Sequence, residues 1–246
     1  LYFSANNPAN DPLDIDRRHI WRVGTDGSAR PEPLTSGTGI ETDPMLVGNR
    51  LFYRSAGWNR STGVAFRTIG EGTETQLFPQ LADYNAKRFP AAALIEPKQV
   101  IFKAADGTTV HGQLFLPAQT AAGRGPGERR PGLIFLHGGP IRQMLLGWHY
   151  RGAYYANAYA MNQYLAAQGY VVLSVNYRAG IGYGRAFRRA DKQGPRGASE
   201  YQDVLAGARY LQSRADVDPL RIGLWGGSYG GYLTAMGLAR NSDLFA

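Results

Sequence analysis

The residues best suited to chemistry lie together near the C-terminal end, in Leu224-Trp225-Gly226-Gly227-Ser228-Tyr229-Gly230-Gly231. A serine hydroxyl is a weak nucleophile and becomes useful only where it stands exposed and a base can reach it. Gly226-x-Ser228-x-Gly230 has the spacing of a nucleophile elbow, a sharp strand-to-helix turn that presents such a serine. Alone, the pentapeptide fits any glycine-rich turn. Its flanks decide the matter. Arg221-Ile222-Gly223-Leu224-Trp225 is a short apolar run before it, and Tyr232-Leu233-Thr234-Ala235-Met236-Gly237-Leu238-Ala239 reads as a helix after it. Ser228 is therefore the expected nucleophile, and the helix N-terminus offers the Tyr229 N–H to a developing oxyanion.

A second donor is expected in His137-Gly138-Gly139-Pro140, which follows the buried run Leu133-Ile134-Phe135-Leu136. Glycines there leave backbone N–H groups accessible, and the Gly139 N–H is assigned to the oxyanion. His137 is close enough to tempt as a base, but a hydrogen bond within its own loop is the favoured reading. Trp148, His149, Tyr150, Tyr154, Tyr155 and Tyr159 either wall a substrate cleft, with His137, Tyr150 and Tyr154 as its candidates, or simply pack a helix. Asn176-Tyr177-Arg178 and Gly180-Ile181-Gly182-Tyr183-Gly184 end the next strand and are expected to form a structural loop, with substrate contact the lesser reading. Asp203, on a predicted helix, is expected to be a structural partner.

These groups must be carried by regular elements, and the sequence supplies them. Val100-Ile101-Phe102-Lys103-Ala104 and Val110-His111-Gly112-Gln113-Leu114-Phe115-Leu116 flank Asp106-Gly107, a hairpin signal. Residues 118–131, rich in Gly, Pro, Ala and Arg, read as a surface loop. Beyond them strand and helix alternate: strand 133–136, helix 154–167, strand 170–175, helix 200–213, then the elbow strand. That order belongs to an α/β-hydrolase, with a mostly parallel, doubly wound sheet.

Upstream, the pattern is different. Leu1-Tyr2-Phe3, His19-Ile20-Trp21-Arg22-Val23, Leu51-Phe52-Tyr53 and Val64-Ala65-Phe66-Arg67 read as short strands between turns. Trp21-Arg22-Val23, Asp26-Gly27 and Leu34 are echoed by Phe66-Arg67-Thr68, Glu71-Gly72 and Leu77 at offsets of 45, 45 and 43 residues. A period in the mid-forties with several strands per unit suits β-propeller blades, although two copies also allow a chance match. The composition changes at Ala91-Ala92-Ala93-Leu94-Ile95-Glu96-Pro97. The expected division is residues 1–96, one to two blades of a propeller, and residues 97–246, the hydrolase domain.

The totals narrow the function classes. The 246 residues are 43% hydrophobic, with a net charge of +8. The excess is mostly Arg and scattered; its densest cluster, Arg185, Arg188, Arg189, Lys192 and Arg196, has no nucleic-acid motif around it, so no nucleic-acid partner is expected. No run approaches the length of a membrane span, and no membrane partner is expected. The absence of cysteine removes a disulfide framework, a thiolate metal site and a cysteine nucleophile.

Taken together these motifs resemble the prolyl oligopeptidase family of serine peptidases. The likeness rests on the blade-like start, Phe102-Lys103-Ala104-Ala105-Asp106-Gly107, His137-Gly138-Gly139-Pro140, Asn176-Tyr177-Arg178 with its glycine-rich tail, and Gly226-Gly227-Ser228-Tyr229-Gly230-Gly231. Gly227 stands where the family often has Trp, and His137 replaces a tyrosine that some members use to bind the oxyanion. The second departure favours a backbone oxyanion hole, as in the acylaminoacyl branch. The resemblance implies a propeller-capped hydrolase that cleaves short peptides through an acyl-enzyme on Ser228, with no cofactor or metal. An esterase on the same scaffold and a non-catalytic binding protein remain as alternatives; self-association and compartment stay open.

One part of the chemistry is missing from the sequence. A triad on this fold runs Ser, then Asp or Glu, then His along the chain. His19, His111, His137 and His149 all precede Ser228, and the residues after it include Asp243 but no histidine. The expectation is a piece of a longer polypeptide, truncated after the elbow helix, with the triad Asp and His beyond residue 246 and the visible chain inert alone.

Overall fold

The computed structural model describes residues 1–6, 12–78, 91–118, 128–194 and 198–245. They group into two compact units, Leu1–Glu96 with Leu145–Tyr159, and Pro97–Met144 with Ala160–Ala246. The sequence alone assigned 145–159 to the second part; in the structure that segment clusters with the first.

In the first unit, β1 (Tyr2–Ala5), β2 (His19–Arg22) and β3 (Glu32–Pro33) form one antiparallel sheet. β4 (Ile40–Val47), β5 (Arg50–Ala56), β6 (Gly63–Thr68) and β7 (Thr75–Gln76) form a second, four-stranded antiparallel meander. Ile20, Leu51, Tyr53 and Ala65 make its buried core, with Tyr2, Leu34 and Ile69 packed on them. Leu34 N–H donates to the Ile20 carbonyl (2.7 Å) just past β3, and Leu77 N–H donates to the Val64 carbonyl (2.8 Å) just past β7. β4 has no place in the sequence reading. Pro44 interrupts its pattern, and the register shifts between Thr42 and Met45 where Asp43 takes a φ of 55°. A bulge lets a proline sit in a strand without breaking the ladder on either side.

The second unit is α/β. Its hairpin, β8 (Lys98–Lys103) and β9 (Thr109–Phe115), is antiparallel, and β9 also pairs antiparallel with β11 (Val171–Asn176). β10 (Arg130–Leu136) runs parallel to β11 and to β12 (Val217–Gly226). The sheet order is β12-β10-β11-β9-β8. Of the loop expected over 118–131, residues 119–127 lie outside the described residues, and β10 already begins at Arg130.

Among the described residues the α-helices are α1 (Gly152–Ala167), the short α2 (Arg185–Arg188), α3 (Ala198–Gln212) and α4 (Tyr229–Arg240). α3 and α4 pack on the sheet and on each other. Alternate residues explain this: Ile134 and Leu136 from β10, and Leu173 and Val175 from β11, are fully buried with Val204, Ala208 and Leu211 of α3 and Leu233 of α4. Burying each such side chain contributes about 1.5–3 kcal/mol, so this cluster holds the sheet to its helices. Leu136 stands level with Val175 on one side and Gly226 on the other. The three parallel strands therefore end together, and the three motifs that follow them share one edge of the sheet.

Candidate active site

The elbow is built where β12 meets α4. Ser228 is exposed and takes φ 56°, ψ −125°, a conformation that costs an ordinary L-residue roughly 1–3 kcal/mol. The turn is closed by Gly230 N–H donating to the Gly227 carbonyl and Tyr232 N–H donating to the Ser228 carbonyl, each at 3.0 Å. Two glycines are required by close approach. A Cβ on Gly226 would lie 2.4 Å from the Leu136 carbonyl oxygen, and one on Gly230 would lie 1.9 Å from the same atom and 2.8 Å from the His137 carbonyl oxygen. The elbow is thereby seated directly on the backbone that leads into the glycine loop.

That loop begins at His137, directly after β10, and Gly139 uses a positive φ of 53°. It is braced from the end of β11. The fully buried Tyr177 donates its hydroxyl to the His137 carbonyl and stacks on the His137 ring at 4.2 Å. Asn176 Oδ1 accepts from the Met144 N–H (2.7 Å), and both Asn176 Nδ2 and Gln113 Nε2 donate to the Met144 carbonyl (2.9 Å). Arg178 turns the other way. It bonds to the buried Asp203 (Nη2–Oδ1 2.7 Å) and to Asp106 in the β8–β9 turn, while its own N–H donates to Asp203 Oδ2 at 2.6 Å. Asp203 is thus a structural partner. Hydrogen bonds from Arg178 and from the Thr108 N–H hold the Asp106 carboxyl well below the usual carboxylate range. Sequence reading saw Asn176-Tyr177-Arg178 as a loop, but each of its side chains is a separate tie; the mixture of amide, phenol and guanidinium at a buried strand end was the available signal.

Tyr229, whose N–H opens α4, is fixed through its side chain. Its hydroxyl lies against the Gly194 carbonyl and 3.0 Å from Glu200 Oε1, a buried carboxylate that also accepts the Gly194 N–H at 2.9 Å. Burial, and then the Glu200 charge, push the Tyr229 phenol up, so it stays a neutral donor. Glu200 was not singled out by the sequence, because its partner lies 29 positions away.

The remaining predicted residues sit elsewhere. His137 is fully buried, so its ring packs and does not line a cleft; burial, partly offset by the Gly138 carbonyl, brings its pKa down to about 4. Tyr150 and Tyr154 belong to the first unit. Tyr150 is buried, stacked on His149 at 4.6 Å and capped by Arg18 at 4.9 Å, whereas Tyr154 is half exposed and meets Tyr155 edge-on at 5.0 Å. His19 is paired with Glu41 (2.7 Å), and His111 stacks on Tyr183 (4.4 Å). Ile181, Gly182, Gly184, Arg185, Arg188 and Arg189 line an open, basic cavity of about 450 Å³. Arg196 of the basic cluster lies outside the described residues. Among the described residues there is no cluster of three or more His, Asp or Glu able to hold a metal, and no helix long and apolar enough to cross a membrane.

Known proteins resemble this chain in sequence and in fold. Human dipeptidyl peptidase 8 is 36% identical over 150 residues, covering 61% of this chain and 16% of that protein. The acylaminoacyl peptidase of Pyrococcus horikoshii superposes with a TM-score of 0.70 at 26% identity, covering 93% of this chain and 33% of that one. A puromycin-hydrolyzing peptidase of Mycobacterium tuberculosis shares the fold with a TM-score of 0.77 at 24% identity, over 93% of this chain and 33% of its own. The chain thus spans between a sixth and a third of the length of these relatives. The model of the prolyl oligopeptidase family matches residues 157–246, which contain β11, β12, the elbow and α4. Residues 157–246, which hold the serine turn of this chain, are thus similar in sequence to the prolyl oligopeptidase family.

Proposed function

We propose that this chain carries the nucleophile and oxyanion hole of a serine peptidase that hydrolyses short peptides through an acyl-enzyme. The observation that carries the reading is Ser228 itself, exposed on a left-handed turn between a parallel strand and a helix, with the glycine loop of β10 against its base. The sheet order, an antiparallel hairpin followed by parallel strands with the elbow after the fifth, supports an α/β-hydrolase domain over residues 97–246. The repeated strand units of residues 1–96 support propeller blades preceding it.

In the proposed reaction the Ser228 oxygen attacks the scissile carbonyl carbon while a base removes its proton. The carbonyl oxygen becomes an oxyanion and is held by the Gly139 and Tyr229 N–H groups. Collapse expels the amine, which takes up the proton, and water then releases the acyl group from Ser228. The four histidines are engaged with other partners, so none of them is assigned as the base in this reading. Neighbouring titratable groups around the elbow, Glu200 and Tyr229, have structural duties.

The test is covalent labelling of the full-length protein with a fluorophosphonate, which reacts only with an activated serine. Labelling that disappears in Ser228→Ala supports the proposal; an unlabelled wild-type protein makes it a binding protein with a hydrolase scaffold. Turnover of peptide amides as well as short acyl esters separates a peptidase from an esterase.

A further inference from the structure

The peptide plate that carries the Gly139 N–H is gripped from its opposite edge. A peptide unit is planar and trans, so the Gly138 carbonyl oxygen and the Gly139 N–H point in opposite directions from one rigid body. Whatever fixes the oxygen aims the N–H. Two donors converge on that oxygen: His137 Nδ1 at 3.2 Å and Arg142 Nε at 3.2 Å.

The two donors differ in kind. A carbonyl can only accept, so the His137 proton sits on Nδ1 and Nε2 keeps its lone pair; Nε2 is buried and makes no hydrogen bond among the described residues. The ring is neutral, which leaves Arg142 as the charged donor. Its guanidinium also leans over the loop, because a Cβ built on Gly139 would lie 3.5 Å from Arg142 Nη2. The Arg142 backbone is pinned as well: its N–H donates to the Pro140 carbonyl at 2.7 Å, and its carbonyl accepts the Ile181 N–H at 3.1 Å. On its other flank the loop rests against Gly180, whose added Cβ would stand 2.6 Å from the Arg142 carbonyl oxygen.

We propose that Arg142 is a positioning residue of the oxyanion hole: through its Nε–H bond to the Gly138 carbonyl it aims and polarises the Gly139 N–H toward the substrate oxyanion. The inference rests on the serine-peptidase reading. A charge-assisted bond at the carbonyl draws electron density through the amide and makes its N–H a stronger donor. The gain is largest when the acceptor carries a full negative charge, so it falls on the transition state and hardly on the neutral bound substrate.

The test uses the full-length protein with Arg142→Ala and Arg142→Lys, since Lys keeps the charge but cannot reproduce the planar Nε–H donor. Removing an oxyanion donor outright costs 10²–10³ in kcat, so losing its support should lower kcat for a peptide amide by roughly tenfold or more in Arg142→Ala. KM stays within about twofold, and affinity for a peptide boronate, which forms a tetrahedral adduct on serine, falls in step with kcat. Arg142→Lys recovers only part of the loss, and added ethylguanidinium raises kcat in Arg142→Ala but not in the wild type. The proposal is overturned if Arg142→Ala turns over at the wild-type rate, or if kcat, KM and product affinity all worsen together with a lower Tm, the pattern of a residue that only packs the loop. Fluorophosphonate labelling of the wild type separates the two levels. An unlabelled wild-type protein ends the peptidase reading and this one with it, whereas a labelled wild type with an unaffected Arg142→Ala ends this one alone.

Discussion

At the scale of single residues, His137 shows what burial does to a polar side chain beside a reactive centre. Its pKa of about 4 in the fold compares with an ordinary value of 6.5. Above pH 6.5 the ring is neutral in both folded and unfolded chains and contributes no pH dependence. Between pH 6.5 and 4 the unfolded chain binds a proton that the folded protein refuses, so stability falls as pH falls, by about 3 kcal/mol in all, and levels off below pH 4. Urea unfolding of wild type and His137→Asn across this range should show that difference as a steeper loss of stability toward low pH in the wild type than in the variant. The side chains legible in the sequence were those whose chemistry is written in adjacent positions, Ser228 in its glycine turn and Gly139 in its loop. Glu200 and Tyr177 were not, because what they touch is defined only after distant strands align; Arg142 was not, because its acceptor is a backbone carbonyl four positions back, reached only through the path of the loop. Tyr177 and its acceptor are 40 positions apart, and Arg178 and Asp106 are 72.

At the scale of elements, the strand ends are positioned by backbone contact, and this makes the glycines demanding. Gly230→Ala places a methyl group against the Leu136 carbonyl, where no side-chain rotation can relieve it. The cost should be on the order of 3 kcal/mol or more, read as a lower urea midpoint, with α4 displaced from the glycine loop and fluorophosphonate labelling lost. Arg178 ties β11 to α3 and to the β8–β9 turn. Asp203→Ala would leave its buried guanidinium without its main partner and destabilise by about 3–5 kcal/mol in the same measurement. The strands around the site were readable because they are short apolar runs bounded by glycine and charge. β3 and β7, two residues each, are too short to show a period, and β4 hides its alternation behind Pro44 and the bulge at Asp43.

At the scale of the molecule, the composition change near Pro97 marks one boundary between the compact units, but not the return of Leu145–Tyr159 to the first. Composition along the chain carries no record of which distant segment a stretch will pack on; here Trp148 N–H donates to the Gly57 carbonyl (3.1 Å), and the Tyr159 hydroxyl donates to the Trp58 carbonyl (2.8 Å). The left-handed backbone at Ser228 has a consequence for the stability of the whole. Folding alone would place glycine at that position, because only glycine adopts φ 56°, ψ −125° without a steric penalty. Ser228→Gly should therefore melt higher than the wild type. The gain, after allowing for the looser unfolded chain, is about 1 kcal/mol, or roughly 2–4 °C in Tm for a domain of this size. Ser228→Ala, which keeps a Cβ and hence the penalty, should melt close to the wild type in the same calorimetric comparison. If the two inactive variants separate in this order, the nucleophile is the one residue of the turn that the fold tolerates and does not choose.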